Sequence, residues 1–311
     1  MNLTADELQR ELANYGYVAE KELATTIFLA LKLQKPLLVE GAPGVGKTEI
    51  AKALAKVLKT NLIRLQCYEG LDENKALYEW NCQKQLLKIQ IMKESASSEE
   101  IERNLFGEEY LLTRPLLKAI SSKQQEVLLI DEIDKVESEF EAFLFEVLSD
   151  FQVSIPELGT VQAVHIPVVV LTSNGERELS DGLKRRCVYL YIDYPSMEKE
   201  MHILKIKEPE AGETLRRQIV RAVNYIRNNL HLRKNPSIAE TLDWARAITA
   251  LDYRELNAES FKQTLNIVLK NHDDQELLQQ EDGIQKIIQD TGNPVEIKGK
   301  LKPLGQFPPS D

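Results

Sequence analysis

Apolar residues fall in short, dense runs through the first two-thirds of the chain and at helical spacing through the remainder. Glu20 to Leu33 repeats Leu23, Ile27 and Leu31 with a helical period and leads into the run Pro36-Leu37-Leu38-Val39. Asn61 to Cys67, Glu126 to Asp131, Pro167 to Thr172 and Cys187 to Ile192 have the length and composition of further strands. Near-continuously apolar strands are buried on both faces, so the pattern predicts an α/β fold with a five-stranded parallel sheet. Beyond the Tyr194-Pro195 turn only helical signals remain: Ser196 to Ile206, Gly212 to Asn229, Ser237 to Leu251 and Ala258 to Lys270. The expected organisation is an α/β domain over 1–195, a small α-helical lid domain over 196–271 and a partly disordered tail over 272–311, acidic and glutamine-rich at its start. An insertion is expected near 72–121, longer than a crossover helix requires. A hairpin near 151–165, turning at Pro156-Glu157-Leu158-Gly159, is expected to project from the domain.

Between the first strand and the helix that follows it (Ile50, Ala53, Leu54 and Val57 at helical spacing) lies Gly41-Ala42-Pro43-Gly44-Val45-Gly46-Lys47-Thr48. This is a P-loop in its required context of strand, glycine turn and helix. The glycines let successive N–H groups turn inward, and the positive end of the helix adds to an anion cradle. Lys47 would reach the β and γ phosphates of ATP, and the Thr48 hydroxyl would take one site on Mg²⁺. Glu49 completes the expected binding stretch. The competing reading is a flexible glycine turn.

Val127-Leu128-Leu129-Ile130 ends in Asp131-Glu132, the Walker B arrangement at the carboxyl end of a strand. Asp131 would hold Mg²⁺ and Glu132 would polarise the attacking water. Asn174, after Leu171-Thr172-Ser173, would orient that water or touch the γ phosphate; otherwise it is a loop residue before Gly175. Arg185 and Arg186, read as lying at the start of the fifth strand, would serve a neighbouring subunit as an arginine finger, or are solvated surface residues. Arg246, beside a core Trp244, would lean over the phosphates unless it snorkels to solvent. Tyr17 and Val18 would pack on the adenine ring, or form a plain hydrophobic staple.

The net charge is −10 and the dense basic clusters, Lys184-Arg185-Arg186 and Arg216-Arg217, are too short for a nucleic-acid track. Cys67, Cys82 and Cys187 show no C-x-x-C spacing, which fits structural thiols in a reducing compartment. The amino-terminal residues do not read as a signal peptide and no apolar run is long enough to span a bilayer, so the expected location is the cytoplasm. The four histidines have no ligand spacing, and no Ser-His-Asp order suggests a nucleophile.

G-A-P-G-V-G-K-T, L-L-I-D-E, L-T-S-N, L-K-R-R and W-A-R together resemble the Walker A, Walker B, sensor 1, arginine-finger and sensor 2 elements of AAA+ ATPases, over roughly residues 15 to 270. The long insertion after Asp72, including Ala76-Leu77-Tyr78-Glu79-Trp80-Asn81, together with the hairpin ahead of Asn174, resembles the MoxR branch; within it, the runs from Gly70 to Asn81 and from Gly182 to Pro195 resemble the accessory ATPases of molybdenum hydroxylase maturation, of the carbon monoxide dehydrogenase type. The resemblance implies a hexameric ring working with a von Willebrand factor A partner on a metalloenzyme client, with ATP held between the two domains and sensed by Asn174 and Arg246. Cys187 stands where many relatives have Phe, which leaves the finger between Arg185 and Arg186, with Arg186 favoured for adjoining the strand. The expected function is Mg²⁺-dependent ATP hydrolysis that remodels a protein client. The alternatives are a nucleotide-dependent binding switch with slow turnover and a clamp-loader or helicase-like ATPase acting on nucleic acid.

Overall fold

Nine strands are formed by the described residues, which in the computed structural model are 3–92, 107–155, 159–280 and 283–292. They are β1 (Leu37–Gly41), β2 (Leu62–Gln66), β3 (Tyr78–Trp80), β4 (Leu111–Thr113), β5 (Val127–Asp131), β6 (Gln152–Ile155), β7 (Gly159–Gln162), β8 (Val168–Ser173) and β9 (Val188–Ile192). Five build one sheet in the order β2-β5-β8-β1-β9, and every pairing in it is parallel. Successive side chains of a strand face opposite ways. Leu38, Leu128, Ile130, Val169 and Leu171 therefore feed one core, and Leu37, Val39, Val127, Leu129 and Val170 feed the other. Only the inner strands are buried almost throughout. The edge strand β2 alternates, with Arg64 and Gln66 exposed, and β9 exposes Tyr189 and Tyr191.

The described chain divides into two units. The first comprises the residues through Pro209 together with Ser237–Leu242, and the second comprises Glu210–Pro236 and the residues from Asp243 onward. This departs from a boundary at Pro195. The helix Met197–Lys207, expected in the lid, belongs to the first unit, where Glu200 is fully buried and accepts from Thr241 Oγ1 at 2.6 Å. The second unit is helical: Glu213–Asn229, the later part of Ile238–Ala250, Ala258–Val268, His272–Gln280 and Gly283–Gly292. Trp244 is its anchor, donating Nε1–H to Thr264 Oγ1 at 2.7 Å and standing edge-on to Phe261. The expected disordered tail is thus corrected over 272–292: Leu278, Ile284 and Ile287 are buried, so both helices pack on the unit. Residues 293–311 lie outside the described ones.

Three further features modify the sequence reading. The helix Ala5–Asn14 was not anticipated, although Thr4 and Glu7 form a capping box and Leu8 and Leu12 are fully buried. The insertion carries the two-stranded β3–β4 sheet, the short helix Glu73–Ala76 and the helix Cys82–Met92; its residues 93–106 fall outside the description. The expected hairpin is β6–β7, whose turn residues 156–158 are not described. Phe151, Val153 and Ile155 join the sheet's core, so its β6 side is anchored rather than projecting free. Among the described residues no helix is long and apolar enough to cross a membrane.

Before β5, Glu126 is buried and accepts from Thr60 Oγ1, Asn61 N, Asn61 Nδ2, Ser122 Oγ and Gln124 Nε2 at 2.9 to 3.2 Å. Burial alone would raise its pKa, but the bonds from Gln124, Thr60, Asn61 and Ser122 outweigh it and bring the carboxyl from 4.5 to about 2. A depressed carboxylate contributes stability that is present above its unfolded value and lost as pH falls through the folded one. Glu126→Gln is therefore expected to lower Tm at pH 7, with the gap from the natural protein narrowing between pH 4.5 and 2. A gap that is constant across that window contradicts this, and thermal melts of both proteins measure it.

Candidate functional site

At the carboxyl end of β1 the chain turns through Ala42–Gly46 and enters the helix Lys47–Leu58. Gly44 (φ +78°) and Gly46 (φ +96°) occupy left-handed conformations that favour glycine. Gly46 caps the helix without a side-chain bond, so the first backbone N–H groups of the helix stay uncapped by side chains, as an anion cradle needs. Lys47 is buried, and its ammonium donates to Gly41 O at 2.7 Å, Ala42 O at 2.9 Å and Asn174 Oδ1 at 2.8 Å. Burial lowers its pKa, opposed by the charges of Asp134, Asp131, Glu132 and Glu40.

β8 lies between β1 and β5 and brings the tip carrying Asn174 to Lys47, while β5 supplies the acids. Asp131 is buried and held on both oxygens. Oδ1 accepts from Thr48 Oγ1 at 3.1 Å and Thr172 Oγ1 at 2.5 Å, and Oδ2 accepts from Arg64 Nη2 at 2.5 Å. Thr172 also accepts the Glu132 N–H at 2.9 Å, tying the end of β5 to β8. Glu132 adopts a left-handed backbone (φ 59°, ψ 51°), uncommon for a residue with a side chain. Its carboxylate accepts from Gln66 Nε2 at 3.1 Å and pairs with Lys135 at 2.7 Å.

Lys47, Thr48, Asp131, Glu132 and Asn174 are thus brought together. Tyr17 packs against the helix-side core and shares with Glu49, Lys52, Lys56 and Lys207 an open cleft of about 510 Å³, with Val18 half-buried next to it in sequence. Burial and the charge of Glu49 push the Tyr17 phenol well above its ordinary pKa. Arg185 and Arg186 do not start the fifth strand. They end the helix Asp181–Arg186, which Ser180 caps by accepting the Leu183 N–H, and β9 begins at Val188. Both arginines are exposed, and the Arg186 guanidinium lies 4.1 Å from the centre of the Phe145 ring. Arg246 stands in the second unit, paired with Asp243 at 3.4 Å.

Several partners in the site were not foreseen. Arg64 and Gln66 reach the acids because Gln66 pairs in register with Asp131, a long-range fact. Ser237 lies against Gly44, and the Ala239 N–H donates to Gly44 O at 3.3 Å. Asp134, buried, accepts from the backbone N–H of Asn174 and of Glu176, each at 3.0 Å.

The glycines differ in what constrains them. A Cβ on Gly41 would overlap the backbone carbonyl of Ile192 in β9, whereas one on Gly46 meets no atom within 4 Å. Gly41→Ala is expected to prevent normal folding or lower Tm steeply, while Gly46→Ala costs only the left-handed strain, about 1–2 kcal/mol. Equal Tm values in calorimetry would contradict the distinction.

Comparison with known proteins places this geometry. Residues 37–193 match the family described as ATPase family associated with various cellular activities (AAA). An uncharacterized protein of Staphylococcus aureus (strain USA300) is 26% identical over 226 residues, which is 70% of this chain and 77% of that protein. Another, from the bovine strain RF122 / ET3-1, is 30% identical over 169 residues, 52% of this chain and 57% of its own length. In solved structures, a mutant of RuvB from Thermotoga maritima aligns with a TM-score of 0.51 at 18% identity, covering 94% of this chain and 81% of that one, a likeness of fold. With a P-loop strand flanked by β8 and β9 and a family match over half its length, the chain belongs to the AAA family of ATPases.

Proposed function

We propose that this protein hydrolyses ATP at the P-loop site and uses the cycle to remodel a protein client in the cytoplasm, as a ring in which each site is completed by a neighbour's arginine. One observation carries the reading: Lys47 stands buried between two P-loop carbonyls and Asn174 Oδ1, where a γ phosphate would replace neutral acceptors with an anion. The hard oxygens of Thr48 and Asp131, 3.1 Å apart, suit Mg²⁺, which would be held there and would screen the phosphate charge. Asn174 would position the attacking water and Glu132 would accept its proton as the bond from the γ phosphorus to the bridging oxygen breaks, leaving ADP and phosphate. Gly41, Ala42, Pro43, Gly44, Val45 and Gly46 would cradle the phosphates, and Tyr17 and Val18 would flank the adenine. Arg246 takes the sensor 2 role by its W-A-R resemblance.

The finer assignment rests on the MoxR resemblance of the insertion after Asp72 and the hairpin ahead of Asn174, and on the likeness of the runs at 70–81 and 182–195 to the molybdenum hydroxylase accessory ATPases. It comprises a hexamer, a von Willebrand factor A partner and a chaperone-like part in metalloenzyme maturation. A slow nucleotide-dependent switch is the second reading, favoured by the Glu132 ion pair with Lys135, which engages the carboxylate that would act as base.

Glu132→Gln is expected to keep ATP binding and lose turnover. Arg186→Ala is expected to bind ATP, fail to hydrolyse it alone, and regain activity when mixed with Glu132→Gln subunits, which supply intact arginines. Turnover by Glu132→Gln alone, or no regain in the mixture, contradicts the proposal. Arg64→Ala frees Asp131 Oδ2 of its cation. It is expected to lower the Mg²⁺ concentration at which a fluorescent ATP analogue binds half-maximally; an unchanged requirement contradicts that.

A further inference from the structure

Two buried acids outside the ATP-binding set, Asp134 at 4% exposure and Glu141 at 2%, face the segment that joins Asn174 to the arginine-bearing helix. Burying a carboxylate is costly unless it is bonded. Both spend their bonds on this one segment. Asp134 Oδ2 accepts the N–H of Asn174 and of Glu176 at 3.0 Å each. Arg177 Nη2 donates to Val136 O at 3.0 Å, and its Nη1 lies 3.6 Å from Glu141 Oε2. Glu141 accepts the Ser180 N–H at 3.0 and 3.3 Å, immediately before the helix that ends in Arg185 and Arg186. Past that point, Phe145 contacts the helix twice. Its ring carries the Arg186 guanidinium at 4.1 Å, and a Cβ at Gly182 would come within 3.5 Å of it. Residues 174–186 are therefore fastened along their length to the segment 134–145 that follows the Walker B acids.

At one end of this strap Asn174 touches Lys47; at the other stand two exposed arginines. Asp134 Oδ1 and Arg177 Nε are buried in it with no hydrogen-bond partner among the described residues. Coupling between sites can be carried by a packed, hydrogen-bonded segment of this kind.

We propose that Asp134 and Glu141 are positioning residues that make 174–186 a single strap, transmitting the nucleotide state sensed at Asn174 to the arginines that complete a neighbouring subunit's site. The inference rests on the trans-arginine reading above and adds residues that serve the neighbour's site rather than their own.

Two mixtures separate the two claims. Glu141→Gln, checked by its melting curve, is expected to bind a fluorescent ATP analogue within about twofold of the natural protein yet turn over at least about tenfold more slowly, since displacements near 1 Å can cost on the order of 100-fold. Mixed with Glu132→Gln subunits, whose straps are intact, it is expected to regain turnover, as Arg186→Ala does. A Glu141 acting only on its own site gives no regain. Regain for Arg186→Ala but not for Glu141→Gln overturns the strap alone; regain for neither overturns the trans-arginine reading and the strap with it. Full activity of Glu141→Gln by itself also overturns the strap. Should that variant fail to fold, Arg177→Gln, which releases Val136 O and Glu141 but leaves both acids their backbone partners, is put through the same mixtures with the same expected results.

Discussion

A lysine ammonium withdrawn from water is the constraint on which the first unit is arranged. At 6% exposure Lys47 needs an acceptor for each of its hydrogens and negative charge nearby, or burial would strip its proton. Gly41 and Ala42 supply two acceptors because the chain reverses over them, and Asn174 supplies the third because β8 runs directly beside β1. The acids come from farther off. β5 is two strands from β1, and its end brings Asp131 and Glu132 near enough for their charges to oppose the lowering of the Lys47 pKa by burial. A sheet in which β5 neighboured β1 would leave no strand to carry Asn174 between them.

The same charges are partnered with one another inside the site. Asp131 is engaged by Thr48, Thr172 and Arg64; Glu132 by Gln66 and Lys135; Lys47 by carbonyls and an amide. A triphosphate bound as proposed would exchange for these partners. The partners lie on separate elements: Arg64 and Gln66 belong to β2, Lys135 to the turn after β5, and Asn174 to the segment that ends at Arg186. Small displacements at the phosphates are in that way connected to the surface through backbone bonds to two buried acids.

What the sequence disclosed divides along the range of the interactions. β1, β5 and β8 were readable because strands buried on both faces are apolar at nearly every position, and the P-loop because its glycines and Lys47-Thr48 are contiguous. The partners of Asp131 and Glu132 were not, since Arg64 and Gln66 look like ordinary exposed positions on an alternating edge strand until the register of β2 with β5 is known. Asp134 and Glu141 carry no local sign of burial, since their partners lie about forty residues away in 174–180. The helix Asp181–Arg186 has a local sign, Ser180 as N-cap accepting the Leu183 N–H, but it is only six residues long and abuts the apolar run after Cys187. Leu278, Ile284 and Ile287 were likewise obscured by acidic and glutamine-rich neighbours, and the membership of 237–242 in the first unit depends on contacts with Gly44 that no local pattern encodes.

The most direct test of the central claim is steady-state ATP hydrolysis with Mg²⁺ measured across protein concentration, with particle mass from light scattering on the same samples. The account predicts that turnover per subunit rises as assemblies form, since each site waits for an arginine from its neighbour. Turnover per subunit that stays constant while the protein passes from monomer to assembly would contradict it.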